Sequence, residues 1–412
     1  MTTPILLLNC GSSSVKYQVI DADTEDVLAT GLVQKVGQAT GTLDHTVGET
    51  TEHREQPVPD HAEAMRLVVG LIGEYGPRLS DVVAVAHRVV HGGPRFSDPV
   101  RIDDAVVQEL RDLSGLAPLH NPPAVEGIEA ARAVLPDVPH VAVFDTAFFS
   151  TLPAEASTYA IDADLAREHH IRRYGFHGTS HAYVSRKAAE VLGRDLEDLN
   201  QIVCHLGNGA SISAVRGGVA VETSMGLTPL QGLVMGTRSG DIDPGVVAYL
   251  NREAGMSVDE IDTLLNKKSG LAGLAGGTSD MRDVQGKADA GDEAAVLALN
   301  VYVHRLVSYI GAYLALLGGT DVLVFTAGVG ENAFKVRESV CDRLAPLGFL
   351  LDDEANETRS KEPRVISQPG SPVTIMVVPT NEELQMARET AQLLCQGGLG
   401  WSRDDSASQN RA

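Results

Sequence analysis

The hydrophobic positions of this chain fall into one plan that is used twice. Residues 4–9 form a short apolar run that stops at Gly11, Ser12, Ser13 and Ser14 and resumes over 15–20, a strand–turn–strand pattern. Residues 201–205 repeat the plan: the run stops at Gly207-Asn208-Gly209-Ala210-Ser211 and resumes over 212–215. Two apolar strands, each closing on a polar residue before a turn of small residues, predict two related halves. Further apolar runs predict strands over 82–86, 140–144, 322–326 and 373–378. A 3.6-residue period predicts helices over 61–75, 102–113, 124–134, 181–192, 292–317 and 382–395. Strands alternating with helices place the chain in the α/β class. Residues 37–60 are polar and predict a hairpin and loop, and the polar tail 397–412 is expected to fray.

Composition narrows the function. The 412 residues suffice for two or three domains, and 43% hydrophobic against 21% charged residues fits a globular protein with sizeable cores. A net charge of −22, from 33 basic and 55 acidic residues, disfavours nucleic acid as a partner and repels anionic substrates at long range. Any anion site must therefore be locally basic. No run approaches the roughly 20 apolar residues that span a membrane, and the N-terminus reads as a first strand rather than a signal peptide. Four scattered cysteines show neither metal-ligand spacing nor a disulfide framework, so a reducing cytoplasm is the expected location.

Three small-residue turns could hold phosphate on backbone N–H groups: Gly11–Ser14, Gly207–Ser211 and Gly328-Val329-Gly330-Glu331-Asn332. None matches the Walker or the dinucleotide glycine pattern. Lys16 could reach a phosphate or be a solvated strand lysine. The stretch 225–245 sets Arg238 among glycines, hydroxyls and two acids, a composition that brings backbone close to a ligand. His87, His91, His177 and His181 could suggest zinc, but Gly92, Gly93, Gly175 and Gly178 break the helix that such spacing needs. His177 reads better as a donor to phosphoryl oxygen, with Phe176, Val90 and Leu119 as an apolar wall for a small organic group. Asp145 and Glu382 stand at strand exits, where either a helix cap or a hard oxygen ligand for magnesium is expected.

Taken together, the segments Asn9–Lys16, His87–Gly93, Ala117–Pro123, Phe144–Phe148, Tyr174–His181, His205–Ser211, Met225–Gly245, Gly328–Asn332 and Pro379–Leu384 closely resemble the acetate kinase family, in family order across about residues 4–395. The resemblance implies two ribonuclease-H-like halves of the actin-like ATPase fold, related by internal duplication, with a cleft between them. It implies an N-terminal domain of 1–149 plus 380–396 and a second, nucleotide-binding and dimerising domain of 150–379. It implies magnesium, with manganese as a substitute, at Asn9 and Glu382. Lys16 and the turn His205, Leu206, Gly207, Asn208 and Gly209 would contact the phosphates of ATP. Asp280, Met281 and Arg282, with Gly328, Val329, Gly330, Glu331 and Asn332, would line the nucleotide site. Arg88 would bind the carboxylate substrate, with Val90, Leu119, Phe176 and Pro229 around its methyl group. Asp145, His177 and Arg238 would be catalytic. A homodimer coupled to a phosphate acetyltransferase is expected.

The reaction so implied is the reversible transfer of a phosphoryl group from ATP to acetate. A carboxylate with a pKa of about 4–5 is already ionised at neutral pH, so no base is required. The difficulty is to bring two anions together, and arginines answer it. On that view Asp145 orders magnesium, water or Arg88 rather than attacking phosphorus. A propionate or butyrate kinase shares the chemistry, and a non-enzymatic nucleotide switch of the actin or chaperone kind shares the fold.

Overall fold

The structure, a computed structural model, describes residues 3–118 and 120–396. Leu119 and the tail 397–412 lie outside the described residues. The chain divides into two compact units, one of Met1–Ala147 with the chain from Glu382 onward, the other Phe148–Asn381.

The first unit is built on an eight-stranded sheet. Its strands are β1 (Pro4–Gly11), β2 (Ser14–Asp21), β3 (Val27–Gln34), β4 (Gln38–Val47), β5 (Thr50–Val58), β6 (Ala84–Val89), β7 (Val100–Arg101) and β8 (His140–Phe144), in the order β5-β4-β3-β2-β1-β6-β8-β7. β1 to β5 form an antiparallel meander, β6 and β8 add in parallel, and β7 closes antiparallel. Alternation sets the faces: Leu6, Leu8, Val15, Tyr17 and Val19 join one core with the helix His61–Tyr75. β8 is buried at every position, as a strand covered on both faces must be, and after His140 its sequence is correspondingly apolar throughout. β4 and β5 are polar yet regular. They stand at the sheet edge, where Glu52, His53, Arg54, Glu55 and Pro57 discourage further pairing.

The second unit carries a six-stranded sheet of β9 (Asn200–Leu206), β10 (Ala210–Arg216), β11 (Val219–Thr223), β12 (Val322–Thr326), β13 (Arg364–Val365) and β14 (Thr374–Val377), in the order β11-β10-β9-β12-β14-β13. Its pairings run antiparallel, antiparallel, parallel, parallel, antiparallel. The first unit repeats that series over β3-β2-β1-β6-β8-β7. The duplication read from two glycine turns is thus a duplication of the whole sheet, to which the first unit adds β4 and β5.

One sequence expectation needs correction. The helix Glu293–Leu317 is long and apolar enough to cross a membrane by length and composition alone. Asn300, His304 and Arg305 interrupt any pure apolar run, but the average over the helix remains high. Its stripe of Ala295, Ala298, Tyr302, Leu306, Ile310, Tyr313 and Leu317 is buried and packs on β9 and β10. Asp292 caps its start and Gly318, in the left-handed region at φ 72°, ends it.

Candidate active site

In the first unit, the functional groups stand at the ends of the parallel strands. Arg88 is the penultimate residue of β6, and Asp145 directly follows β8. The two strand ends are tied together by Asp145 N–H donating to the Val89 carbonyl at 3.0 Å. The Arg88 guanidinium donates through Nε and Nη2 to both oxygens of Asp145, at 2.9 and 2.8 Å, a bidentate fork. Its remaining Nη1 lies 3.5 Å from Glu382 Oε2. Burial alone would disfavour the charge on Arg88, but Asp145 and Glu382 outweigh it and push its pKa up. Beyond Arg88 the chain is clamped: Asn121 accepts from His91 N–H and donates to the His91 carbonyl, and Gly92 N–H donates to Thr146 Oγ1.

Glu382 opens the helix Glu382–Gln396, where an acid suits the helix dipole. Its Oε2 faces Arg88, while its Oε1 is buried without a partner. Burial raises the Glu382 pKa, and the nearby Asp145 and Glu383 work in the same direction against Arg88. Lys16 forms an ion pair with Glu383. Asn9, Lys16, Arg88, Glu382 and Glu383 line one recess of about 10 Å³, room for a single small particle. An orphaned carboxylate oxygen and an amide side chain lining one recess are a donor set that fits magnesium, which keeps most of its waters and takes one or two protein oxygens.

In the second unit, the groups gather at the β9–β10 turn. His177 precedes the helix Gly178–Leu192 and is held at φ 61°, a left-handed conformation uncommon for a non-glycine residue. Its Nδ1 is 2.9 Å from Ser211 Oγ on β10, and its ring stacks on His205 with centroids 4.3 Å apart. A Cβ placed on Gly209 would lie 3.3 Å from His177 Nε2 and 3.5 Å from Arg238 Nη1. Only glycine leaves that space open between the two donors. Arg238 is part-buried, and its Nη1 reaches the Pro229 carbonyl at 3.2 Å and Met235 Sδ at 3.9 Å. Among the described residues no carboxylate pairs with it, and burial lowers its pKa.

A pocket of about 870 Å³ in the same unit is lined by Gly207, Asn208, Asp280, Met281, Arg282, Gly328, Val329 and Asn332, so three separate sequence candidates share one wall. Asp280 caps the helix Met281–Asp289, and the Arg282 guanidinium holds its carboxyl at about 2. Ala327, which starts the turn after β12, is in the left-handed region at φ 63°. His205, Leu206, Gly209, Gly330 and Glu331 do not line this pocket. Leu206 and Gly330 are buried, and Glu331 accepts from Thr380 N–H. Gly236, Gln285, Asp289, Phe334 and Lys335 line it without having been anticipated. Met281, Gln285 and Asp289 lie at i, i+4 and i+8 on one helix, a spacing that marks one face.

The apolar candidates divide: Val90 is half-buried in the first unit, while Pro229 is half-buried and Phe176 fully buried in the second. Leu119 lies outside the described residues. Lys16 and the His205–Gly209 turn belong to different units. Among the described residues no group of three or more His, Cys, Asp or Glu is placed to hold a metal.

Comparison with known proteins gives the family of the chain. Residues 4–388 match the model of the Acetokinase family. The chain is 55% identical over 388 residues to an acetate kinase of Clavibacter michiganensis subsp. michiganensis, covering 94% of this chain and 98% of that one. Among solved structures it is similar to the acetate kinase of Porphyromonas gingivalis, with a TM-score of 0.90 and 44% identity over 95% of this chain and 100% of the other. It is also similar to a propionate kinase from Francisella tularensis subsp. tularensis SCHU S4, with a TM-score of 0.89 and 43% identity over 94% and 98%.

Proposed function

Because the chain belongs to the acetokinase family, we propose that it is an acetate kinase, transferring the terminal phosphoryl group of ATP reversibly to acetate and giving acetyl phosphate and ADP. The observation that carries this reading is Arg238, a part-buried guanidinium with no carboxylate partner among the described residues, beside His177 and a glycine that keeps the space open. Such a cation is stabilised when an anion arrives.

In the forward direction, a carboxylate oxygen of acetate forms a bond to the γ-phosphorus. The bond from that phosphorus to the β,γ-bridging oxygen breaks, and its electrons leave with ADP. The nucleophile is already ionised, so the protein supplies position and positive charge. Arg238 and His177 donate to the equatorial oxygens of the group in transit. Arg88 holds the acetate carboxylate through Nη1, which Asp145 leaves free and Glu382 Oε2 faces at 3.5 Å. Asp145 fixes the guanidinium rather than acting on phosphorus. Val90, Leu119, Phe176 and Pro229 bound the methyl group. Gly207, Asn208, Asp280–Arg282 and Gly328–Asn332 hold the nucleotide, and Lys16 is assigned to its phosphates. Asn9 and Glu382 would hold magnesium or manganese. The metal, when bound, offsets charge on the bridging phosphates.

We extend the proposal to assembly and location. The helix Gly245–Glu253 buries none of its residues and exposes Val246 and Tyr249, close in sequence to exposed Ile242 and Val258, an apolar face suited to a second copy of the chain. Four free cysteines, three of them buried, suit a reducing cytoplasm. Supply of the substrate by a phosphate acetyltransferase fits the reverse direction. The test is trapping of acetyl phosphate as its hydroxamate from acetate and magnesium ATP. Formation of the hydroxamate supports the reading, and its absence at any enzyme concentration overturns it. Comparing kcat/KM for two-, three- and four-carbon acids separates acetate from propionate or butyrate. One methylene is worth about 1–3 kcal/mol of discrimination in an apolar pocket.

A further inference from the structure

Behind His177 runs a buried line of hydrogen bonds that the reaction as described does not use. His177 Nδ1 lies 2.9 Å from Ser211 Oγ, which lies 2.8 Å from His181 Nε2, and His181 Nδ1 lies 2.7 Å from Ser213 Oγ. Ser211, His181 and Ser213 are all 0% exposed. Two imidazoles and two hydroxyls in series can carry their hydrogens in one direction or the other, and the direction fixes the tautomer of each ring.

The far end decides the direction. Ser213 Oγ meets only His181 Nδ1 among the described residues. Were that nitrogen the donor, the Ser213 hydroxyl hydrogen would be buried with no acceptor, which costs about 1–3 kcal/mol. Ser213 therefore donates to His181 Nδ1. His181 Nε2–H then donates to Ser211, and Ser211 donates to His177 Nδ1. The last nitrogen of the series, His177 Nε2, is left carrying a hydrogen, and it faces the space beside Gly209 and Arg238.

We infer that Ser211 and His181 are positioning residues that hold His177 as a neutral donor aimed at the transferring phosphoryl group. The inference rests on the proposed kinase reaction. Burial supports it independently, since it pushes the His181 pKa well below the ordinary histidine value and keeps that ring neutral. Because β10 and the helix Gly178–Leu192 carry these groups, the line is as rigid as the elements that bear it.

Two measurements test this. The first is the ¹⁵N spectrum of His177 in the ligand-free enzyme, assigned by comparison with His177→Gln; the Nε2–H tautomer is expected, and the Nδ1–H tautomer would overturn the inference. The second is kinetic. Ser211→Ala and His181→Phe should lower kcat by about 10- to 100-fold, the usual cost of losing an orienting partner, with KM for acetate and ATP nearly unchanged. His181→Gln restores an N–H toward Ser211 and should recover much of the loss. Wild-type kcat in both Ser211→Ala and His181→Phe would overturn the inference. The spectrum needs no turnover and no variant that must remain active. Failure of the relay is therefore distinguished from failure to form acetyl phosphate.

Discussion

The two sheets share one strand order, yet the guanidinium that each unit offers keeps opposite company. Arg88 is bound at both ends of its fork by Asp145 and faces Glu382 with what remains. Arg238 meets a carbonyl and a thioether sulfur, in a chain with 55 acidic residues available to neutralise it. The acids raise the pKa of the first, and burial lowers that of the second. The difference separates an anchor from an unspent charge. A compensated arginine orders its neighbours and contributes to the fold, whereas an uncompensated one costs stability and is retained because an anion completes it.

The contrast is broken first by removing the compensated member. Arg88→Met should lose activity and also about 3–5 kcal/mol of stability, because it leaves Asp145 buried beside Glu382 without a cation. Adding Asp145→Leu should recover much of the melting temperature and none of the activity. Calorimetry beside the hydroxamate assay reads both, and an unchanged melting temperature in Arg88→Met would end its role as an anchor. Arg238→Ala should do the reverse. We expect kcat to fall about 10²- to 10³-fold, as for loss of one preformed donor to a developing charge, with a melting temperature equal to or above wild type.

Glu382→Gln sharpens the comparison through pH. Burial raises the Glu382 pKa, so the folded state binds its proton more readily than the unfolded state does. Its contribution to stability is therefore full below the ordinary glutamate value of about 4.3 and is lost as pH rises through the higher folded value. Glu382→Gln should melt above wild type at neutral pH, and that advantage should vanish in acid. Magnesium should raise the melting temperature of wild type and not of the variant. Equal melting profiles across pH would contradict the burial argument. The smallest effect belongs to Lys16→Met. Its ion pair with Glu383 is half exposed on the lysine side and contributes about 0–1 kcal/mol to stability. If Lys16 reaches the nucleotide phosphates, KM for ATP should rise several-fold, and an unchanged KM would remove it from the site.

How far the sequence carried depends on burial. β8 and β12 occupy the residues their apolar runs predict, because central parallel strands are covered on both faces and leave an unbroken signal. β3 was not anticipated. It alternates and contains Gly31, whose missing side chain makes room for the Tyr17 ring. The helix Gly245–Glu253 buries nothing within the chain, so no core stripe marks it. At the site, Arg238 and the glycine turns were legible because composition alone is unusual there. Of the partners, Asp145 was read as ordering magnesium, water or Arg88, and Ser211 was not singled out as a partner of His177. Asp145 is 57 residues from Arg88, and Ser211 is 34 from His177. Only the strand order brings such pairs together, and a single sequence does not print that order.

The central claim is that Arg238 stands uncompensated in order to meet a phosphoryl group in transit. Its most direct test is the affinity of wild type and Arg238→Met for a planar aluminium fluoride mimic of that group, formed with magnesium ADP and acetate. The account predicts binding weaker by about 100-fold or more in the variant, with affinity for ADP alone unchanged. Equal affinity for the mimic in the two proteins would contradict it.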